Sequence, residues 1–172
     1  MKGFGDIYKS NLKKEKIHKK EKTEAEIISL GVNNHLKGNF EEAIKFYNIA
    51  IKQGFADDSV YANYALILQG SGNLNDAEKF TRKAIELNPN FANAYSNLSG
   101  ILRDLGQLND AEKSARKAIE LDPNSVQPRS NMASILRDLG QLNDAEKSAR
   151  KAIELDPNFV DAYYNLGGIL ID

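Results

Sequence analysis

From residue 24 to the end, apolar and polar positions follow a helical rhythm that restarts every 34 residues. In the stretch 92–125, Tyr95, Leu98, Ser99 and Leu102 stand at i, i+3, i+4 and i+7, which is one face of a helix. Gly106 follows Leu105 and suits the left-handed conformation that ends a helix. Asn109 or Asp110 then offers a cap for a second helix, with Ala111, Ala115 and Ala118 along one side. Pro123 stops it, because proline disfavours the helical conformation in the residue before it. The pattern predicts two antiparallel helices of roughly 13 residues, about 20 Å each, and no strand.

The unit recurs without insertion. Residues Ile101 to Asn124 return unchanged as Ile135 to Asn158. Counting Ala92 as position 1 gives units 24–57, 58–91, 92–125 and 126–159, and a partial unit 160–172. Position 8 is Gly31, Ala65, Ser99, Ala133 and Gly167. Position 20 is Ala43, Ala77, Ala111 and Ala145, and position 27 is Ala50, Ala84, Ala118 and Ala152. Small residues there let the paired helices approach closely, and a larger side chain would overpack. A supersecondary unit repeated at fixed spacing implies a stacked array, each copy burying its face on the next.

These residues resemble the tetratricopeptide repeat. Its pattern is an aromatic at position 4, Leu at 7, a small residue at 8, Gly at 15, Ala at 20 and 27, and Pro at 32. Here Tyr61, Tyr95 and Tyr163 hold position 4, and Leu30, Leu98 and Leu166 hold position 7. Gly38, Gly72, Gly106 and Gly140 hold position 15, and Pro89, Pro123 and Pro157 hold position 32. The resemblance spans residues 24–172 and implies an all-α, right-handed α-solenoid of helix hairpins with a concave groove. It implies four complete repeats plus one helix. There are departures. Pro128 and Arg129 stand at positions 3 and 4 of the fourth unit, so that helix should begin differently, with proline in its first turn. Position 24 is Tyr47 in the first unit and Thr81, Ala115 and Ala149 afterwards, which predicts looser packing between repeats.

Composition narrows the range of jobs. The chain has no cysteine, hence no disulfide, thiol nucleophile or cysteine-based zinc site. No apolar run approaches the roughly 18–20 residues of a membrane span. No secretory signal follows Lys2, and a cytoplasmic location is expected. The net charge of −1 hides an asymmetry. Residues 1–23 carry eight Lys against Asp6, Glu15 and Glu21, so this stretch is +5 and the remainder −6. The basic stretch lacks the arginines and aromatics of a base-stacking surface, so nucleic acid is not the expected partner. A solvated tail is the simpler expectation. The partial unit 160–172 presents Leu166, Ile169 and Leu170 with no following helix, which predicts self-association there.

Catalytic constellations are not expected. His18 and His35 lack partners at metal-ligand spacing, and the acids recur at repeat-equivalent places, as at Asp110 and Asp144. The glycines fall one per hairpin and form no phosphate loop. No cofactor or metal is implied, and the chain does not read as an enzyme. One column does stand out: position 6 is Ser29, Asn63, Asn97, Asn131 and Asn165. Amides at one per repeat can serve the main chain of an extended peptide. Equally, they can hydrogen-bond within the array, and the residues alone leave both readings open. The column resembles the asparagine ladder of the O-linked N-acetylglucosamine transferase superhelix, to which the run Ala94 to Leu98 is also similar. Further groove candidates are Asn93 and Gln127 at position 2, Ser96 and Ser130 at position 5, and Arg103 and Arg137 at position 12. The carboxylate clamp of chaperone-binding family members needs Lys at 5 and Asn at 9, and neither is present. The expected function is a scaffold holding a peptide or partner protein in the groove. Two alternatives remain: a substrate-recruiting array belonging to a larger glycosyltransferase or sulfotransferase, and a self-assembling structural module.

Overall fold

The computed structural model describes residues 22–171. Among them it forms helices α1 (Glu24–Leu36), α2 (Phe40–Gln53), α3 (Asp58–Gly70), α4 (Leu74–Leu87) and α5 (Ala92–Asp104), followed by α6 (Leu108–Leu121), α7 (Gln127–Asp138), α8 (Leu142–Leu155) and α9 (Val160–Ile171), with no strand. Consecutive helices pair as hairpins, α1 with α2 through α7 with α8, and each hairpin packs on the next. The described residues thus form an all-α solenoid of four helix hairpins followed by a single helix. The Lys-rich stretch 1–23, except Lys22 and Thr23, lies outside the described residues, as do His18 and Asp172. Thr23 caps α1 in a reciprocal box with Glu26: the Thr23 hydroxyl accepts from the Glu26 amide and the Glu26 carboxylate from the Thr23 amide.

The turn inside each hairpin is set by glycine. Gly38, Gly72, Gly106 and Gly140 have φ between 74° and 79°. After α5, the Gly106 amide donates to the Arg103 carbonyl and the Gln107 amide to the Leu102 carbonyl. This motif closes the helix only if the first of the two residues is left-handed. The expected cap at Asn109 or Asp110 is corrected: α6 starts at Leu108 behind Gln107, with no side-chain cap, and Asp110 lies within its first turn. The fourth unit departs as its sequence implies. Its first helix starts at Gln127, one position late in the register, with Pro128 in the first turn.

The core sits between the paired helices. The alanines at positions 20 and 27 have no exposed surface, so the two backbones meet there without room for another methyl group. Position 24 is buried throughout: Tyr47, Thr81, Ala115 and Ala149 have no exposed surface. Position 8 compensates. A Cβ on Gly31 would stand 2.6 Å from Tyr47 Cε1, so the large ring is admitted only by the missing side chain opposite. Where position 24 is smaller, position 8 is Ala65, Ser99 or Ala133, each fully buried.

The hairpin order fixes two faces. The first helices, α1, α3, α5, α7 and α9, each touch the next first helix, whereas the second helices, α2, α4, α6 and α8, do not touch one another. Helices drawn together along one side and separated along the other curve the array toward the first. The first helices therefore line the inner face.

Candidate binding groove

The asparagine column lies where first helices meet, and most of its amides are already in use. Asn131 Nδ2 donates to the Ser96 carbonyl at 3.0 Å and to Ser99 Oγ at 3.1 Å. Asn165 Nδ2 donates to the Ser130 carbonyl at 3.1 Å and to Ser130 Oγ at 2.9 Å, and its Oδ1 accepts from Ser134 Oγ. Each amide thus reaches from one repeat to the one before it. Asn63 hydrogen-bonds to the buried Tyr47 phenol, whose pKa is nevertheless pushed up to about 12 because burial penalises the phenolate. Asn97 differs. The residue preceding it in register is Ala62 rather than a serine, and Asn97, half-buried, makes no side-chain hydrogen bond among the described residues.

The other candidates separate in the same way. Ser96 and Ser130 are only 4% and 2% exposed, so their expected place on the groove surface is corrected. They serve as acceptors for the next repeat's asparagine, because position 5 points at the neighbouring helix. Asn93 and Gln127 are exposed, and Gln127 Nε2 donates to Asn131 Oδ1 at 2.9 Å. Arg103 does not stand free to meet acidic ligands: its Nε donates to Asp138 at 2.6 Å. The Gln69 amide reaches Asp104 in the same way at 2.8 Å. These rungs join position 12 of one repeat to position 13 of the next. The pairing was detectable in sequence as a donor and an acid 35 residues apart. Arg137 lies across Gly168, where a Cβ would collide with its guanidinium.

Polarity changes along the inner face. Position 13 is Leu36, strongly exposed, in the first unit and Asp104 and Asp138 later. Position 9 is Val32 and the exposed Leu66 in the first two units, then Gly100 and Ser134. The first two repeats therefore offer apolar surface and the later ones hydrogen-bonding surface. Outward, the second helices carry repeating surface pairs, such as Lys113–Asp110 and Arg116–Glu112, that solvate the array. His35 packs edge-on against Phe40 and Tyr47, and partial burial lowers its pKa. Among the described residues, no group of three or more His, Asp or Glu could hold a metal ion, and no helix is long and apolar enough to cross a membrane.

At α9, the expected exposure of Leu166, Ile169 and Leu170 is corrected in part. Ile169 is only 5% exposed and joins the core with Leu136 and Ala145, and Leu166 packs against the same cluster. Leu170 is 62% exposed, and Tyr164 and Ile171 are also exposed. The helical period carries Ile169 inward and its neighbours Leu170 and Ile171 outward.

Family models described as tetratricopeptide repeat match residues 58–91, 80–113 and 115–147, and one described as TPR repeat matches 133–170. No curated protein sequence matches the chain significantly. Among solved structures, MamA protein is similar with a TM-score of 0.72 and 21% identity, over 85% of this chain and 80% of that one. YrrB, described as a TPR protein with an unusual peptide-binding site, superposes with a TM-score of 0.71 and 20% identity, over 83% of this chain and 73% of its own. The first TPR of Spaghetti (RPAP3), bound to the HSP90 peptide SRMEEVD, gives 0.62 and 20%, over 66% of this chain and 90% of its own.

Proposed function

Because the chain belongs to the tetratricopeptide-repeat family, we propose that it is a protein-interaction scaffold whose inner face takes up an extended segment of a partner protein. YrrB is described with a peptide-binding site and the RPAP3 repeat with a bound peptide, and both are similar in fold, which supports the class of partner. The observation that carries the reading is Asn97. Its amide is unspent on the inner face, between Asn63 and Asn131, whose amides are committed within the array. Gly100, one turn further along α5, adds no side chain to the floor beside it. A peptide amide lying there would find both a donor and an acceptor. Asn93 and Gln127 extend the polar surface on either side, and Leu66 supplies an apolar contact toward the first repeats. The scaffold needs no chemistry of its own.

The test uses a peptide selected from a display library and titration calorimetry. Asn97→Ala should weaken binding by about 1–3 kcal/mol, the net worth of two neutral hydrogen bonds, or roughly 5- to 160-fold in Kd. Its urea midpoint should stay at the wild-type value. Asn131→Ala should instead lower stability by about 1–3 kcal/mol, because its amide bonds join two repeats. Unchanged affinity in Asn97→Ala, with binding lost in a variant of the outer helices such as Lys113→Glu, would place the ligand on the other face.

A further inference from the structure

We infer that the inner face selects a lysine or arginine in the partner segment it holds, with the Asp104 carboxylate taking the cation and the open floor at Gly100 taking the aliphatic stem. This rests on the scaffold reading above and names the chemistry of the segment. On α5, Asn97, Gly100 and Asp104 stand at i, i+3 and i+7 and so share one stripe of the helix. Asn97 and Asp104 are one heptad apart, nearly in line and roughly 10 Å apart along the axis. The Asn97 amide has no partner among the described residues, yet it is not sealed from solvent. Gly100 adds nothing above the backbone: a Cβ there would meet only the Gln69 amide at 3.5 Å and the Asn131 amide at 3.9 Å. Asp104 is exposed.

Asp104 differs from its homologue in what it is paired with. Asp138, one repeat on, is met by the Arg103 guanidinium at 2.6 Å, which neutralises it. Asp104 is met in the same place by Gln69, whose amide donates at 2.8 Å and brings no charge. The Asp104 carboxylate therefore keeps its full charge and most of its acceptor capacity. It makes no ion pair among the described residues. Nearby cations do not offset it: Arg103 is spent on Asp138, and Arg137 lies across Gly168 on α9. The Gln69 amide that bonds Asp104 also stands over Gly100, so the carboxylate borders the open floor. Leu66, 38% exposed, holds the same register position on α3 as Gly100 on α5 and offers apolar surface beside it. Lysine and arginine need both features, apolar surface for the stem and an acid at the tip. An extended lysine carries its ammonium roughly 6 Å from its Cα, and a hydrogen bond adds about 3 Å. A residue whose main chain is held at Asn97 thus reaches Asp104 with its own side chain. The net charge of −6 over residues 24–172 favours approach of a basic segment.

The test uses the nitrogen-15-labelled chain and two blocked tripeptides. One is acetyl-leucyl-lysyl-leucyl amide; the other is the same peptide acetylated on the lysine Nε, which keeps the stem and removes the charge. The side-chain amide signals of Asn97, assigned by their loss in Asn97→Ala, and the backbone amide of Gly100 should shift saturably with both. The lysyl peptide should bind about two- to fivefold more tightly at low salt, the worth of an exposed ion pair. That ratio should fall toward one as salt is added. Asp104→Asn keeps an oxygen for the Gln69 amide and should fold as wild type, and in it the two peptides should bind alike. Equal binding of both peptides by the wild type, with both weakened in Asn97→Ala, would overturn this inference and leave the scaffold reading intact. A ratio that ignores salt, or one that persists in Asp104→Asn, would also overturn it. No response of Asn97 or Gly100 to either peptide would overturn both readings.

Discussion

The pairing of Gly31 with Tyr47 makes a sharp test of the packing. A Cβ at Gly31 would lie 2.6 Å from Tyr47 Cε1, 2.8 Å from Cδ1 and 3.4 Å from Phe46 Cβ. Tyr47 has no exposed surface, so the ring cannot swing into solvent. Overpacking of this kind costs about 1–3 kcal/mol. Against it stands the better helix propensity of alanine, roughly 0.5–1 kcal/mol. With the contact this short the steric cost falls at the upper end, and Gly31→Ala should destabilise by about 1–2 kcal/mol. In the Tyr47→Ala background, itself about 3–5 kcal/mol less stable, the obstruction is gone. There, Gly31→Ala should stabilise by about 0.5–1 kcal/mol, leaving an Ala–Ala pair like Ala133 with Ala149. The coupling energy is then about 1.5–3 kcal/mol, in the upper part of the range for residues in contact. Urea unfolding followed by circular dichroism gives the four corners of the cycle, and hydrogen exchange in α1 and α2 shows whether the effect is local. A Gly31→Ala effect of the same sign and size in both backgrounds would refute the steric argument.

Other expectations follow from single sites. Ala111→Leu should cost about 1–3 kcal/mol because the position is fully buried, whereas Lys113→Ala, at an exposed ion pair, should stay within about 0.5 kcal/mol; equal melting shifts would contradict the register. Gly106→Ala should cost roughly 1–2 kcal/mol, since φ is +75° there, while Gly167→Ala, helical with open space around it, should gain about 0.5–1 kcal/mol in the same melts. The Tyr47 phenol should ionise near pH 12, read as the difference between ultraviolet titrations of wild type and Tyr47→Phe. Its folded pKa lies above the ordinary value near 10. Its stabilising contribution is thus fully present below pH 10 and is lost as pH rises from about 10 to about 12. A phenol ionising near 10 would mean that the ring is not desolvated.

The sequence by itself determined the helix pairs, their 34-residue register, the glycine turns and the buried alanines. These are local or strictly periodic: a left-handed turn needs glycine wherever it occurs, and a close helix crossing needs a small residue in every copy. The sequence also marked Tyr47, Pro128 and Arg129 as departures, but it could not say how each was accommodated. That depends on what stands opposite, 16 residues away for Gly31 and Tyr47 and one repeat away for the asparagines. Tertiary structure alone decided that Asn131 and Asn165 are committed between repeats while Asn97 is not, because the difference lies in the carbonyl and hydroxyl that the preceding helix presents. It alone buried Ser96 and Ser130, paired Arg103 with Asp138, and left Arg129 with one bond made and its Nε unmet. Periodicity assigns a residue to a face, and only the stacked neighbour settles whether its hydrogen bonds remain free.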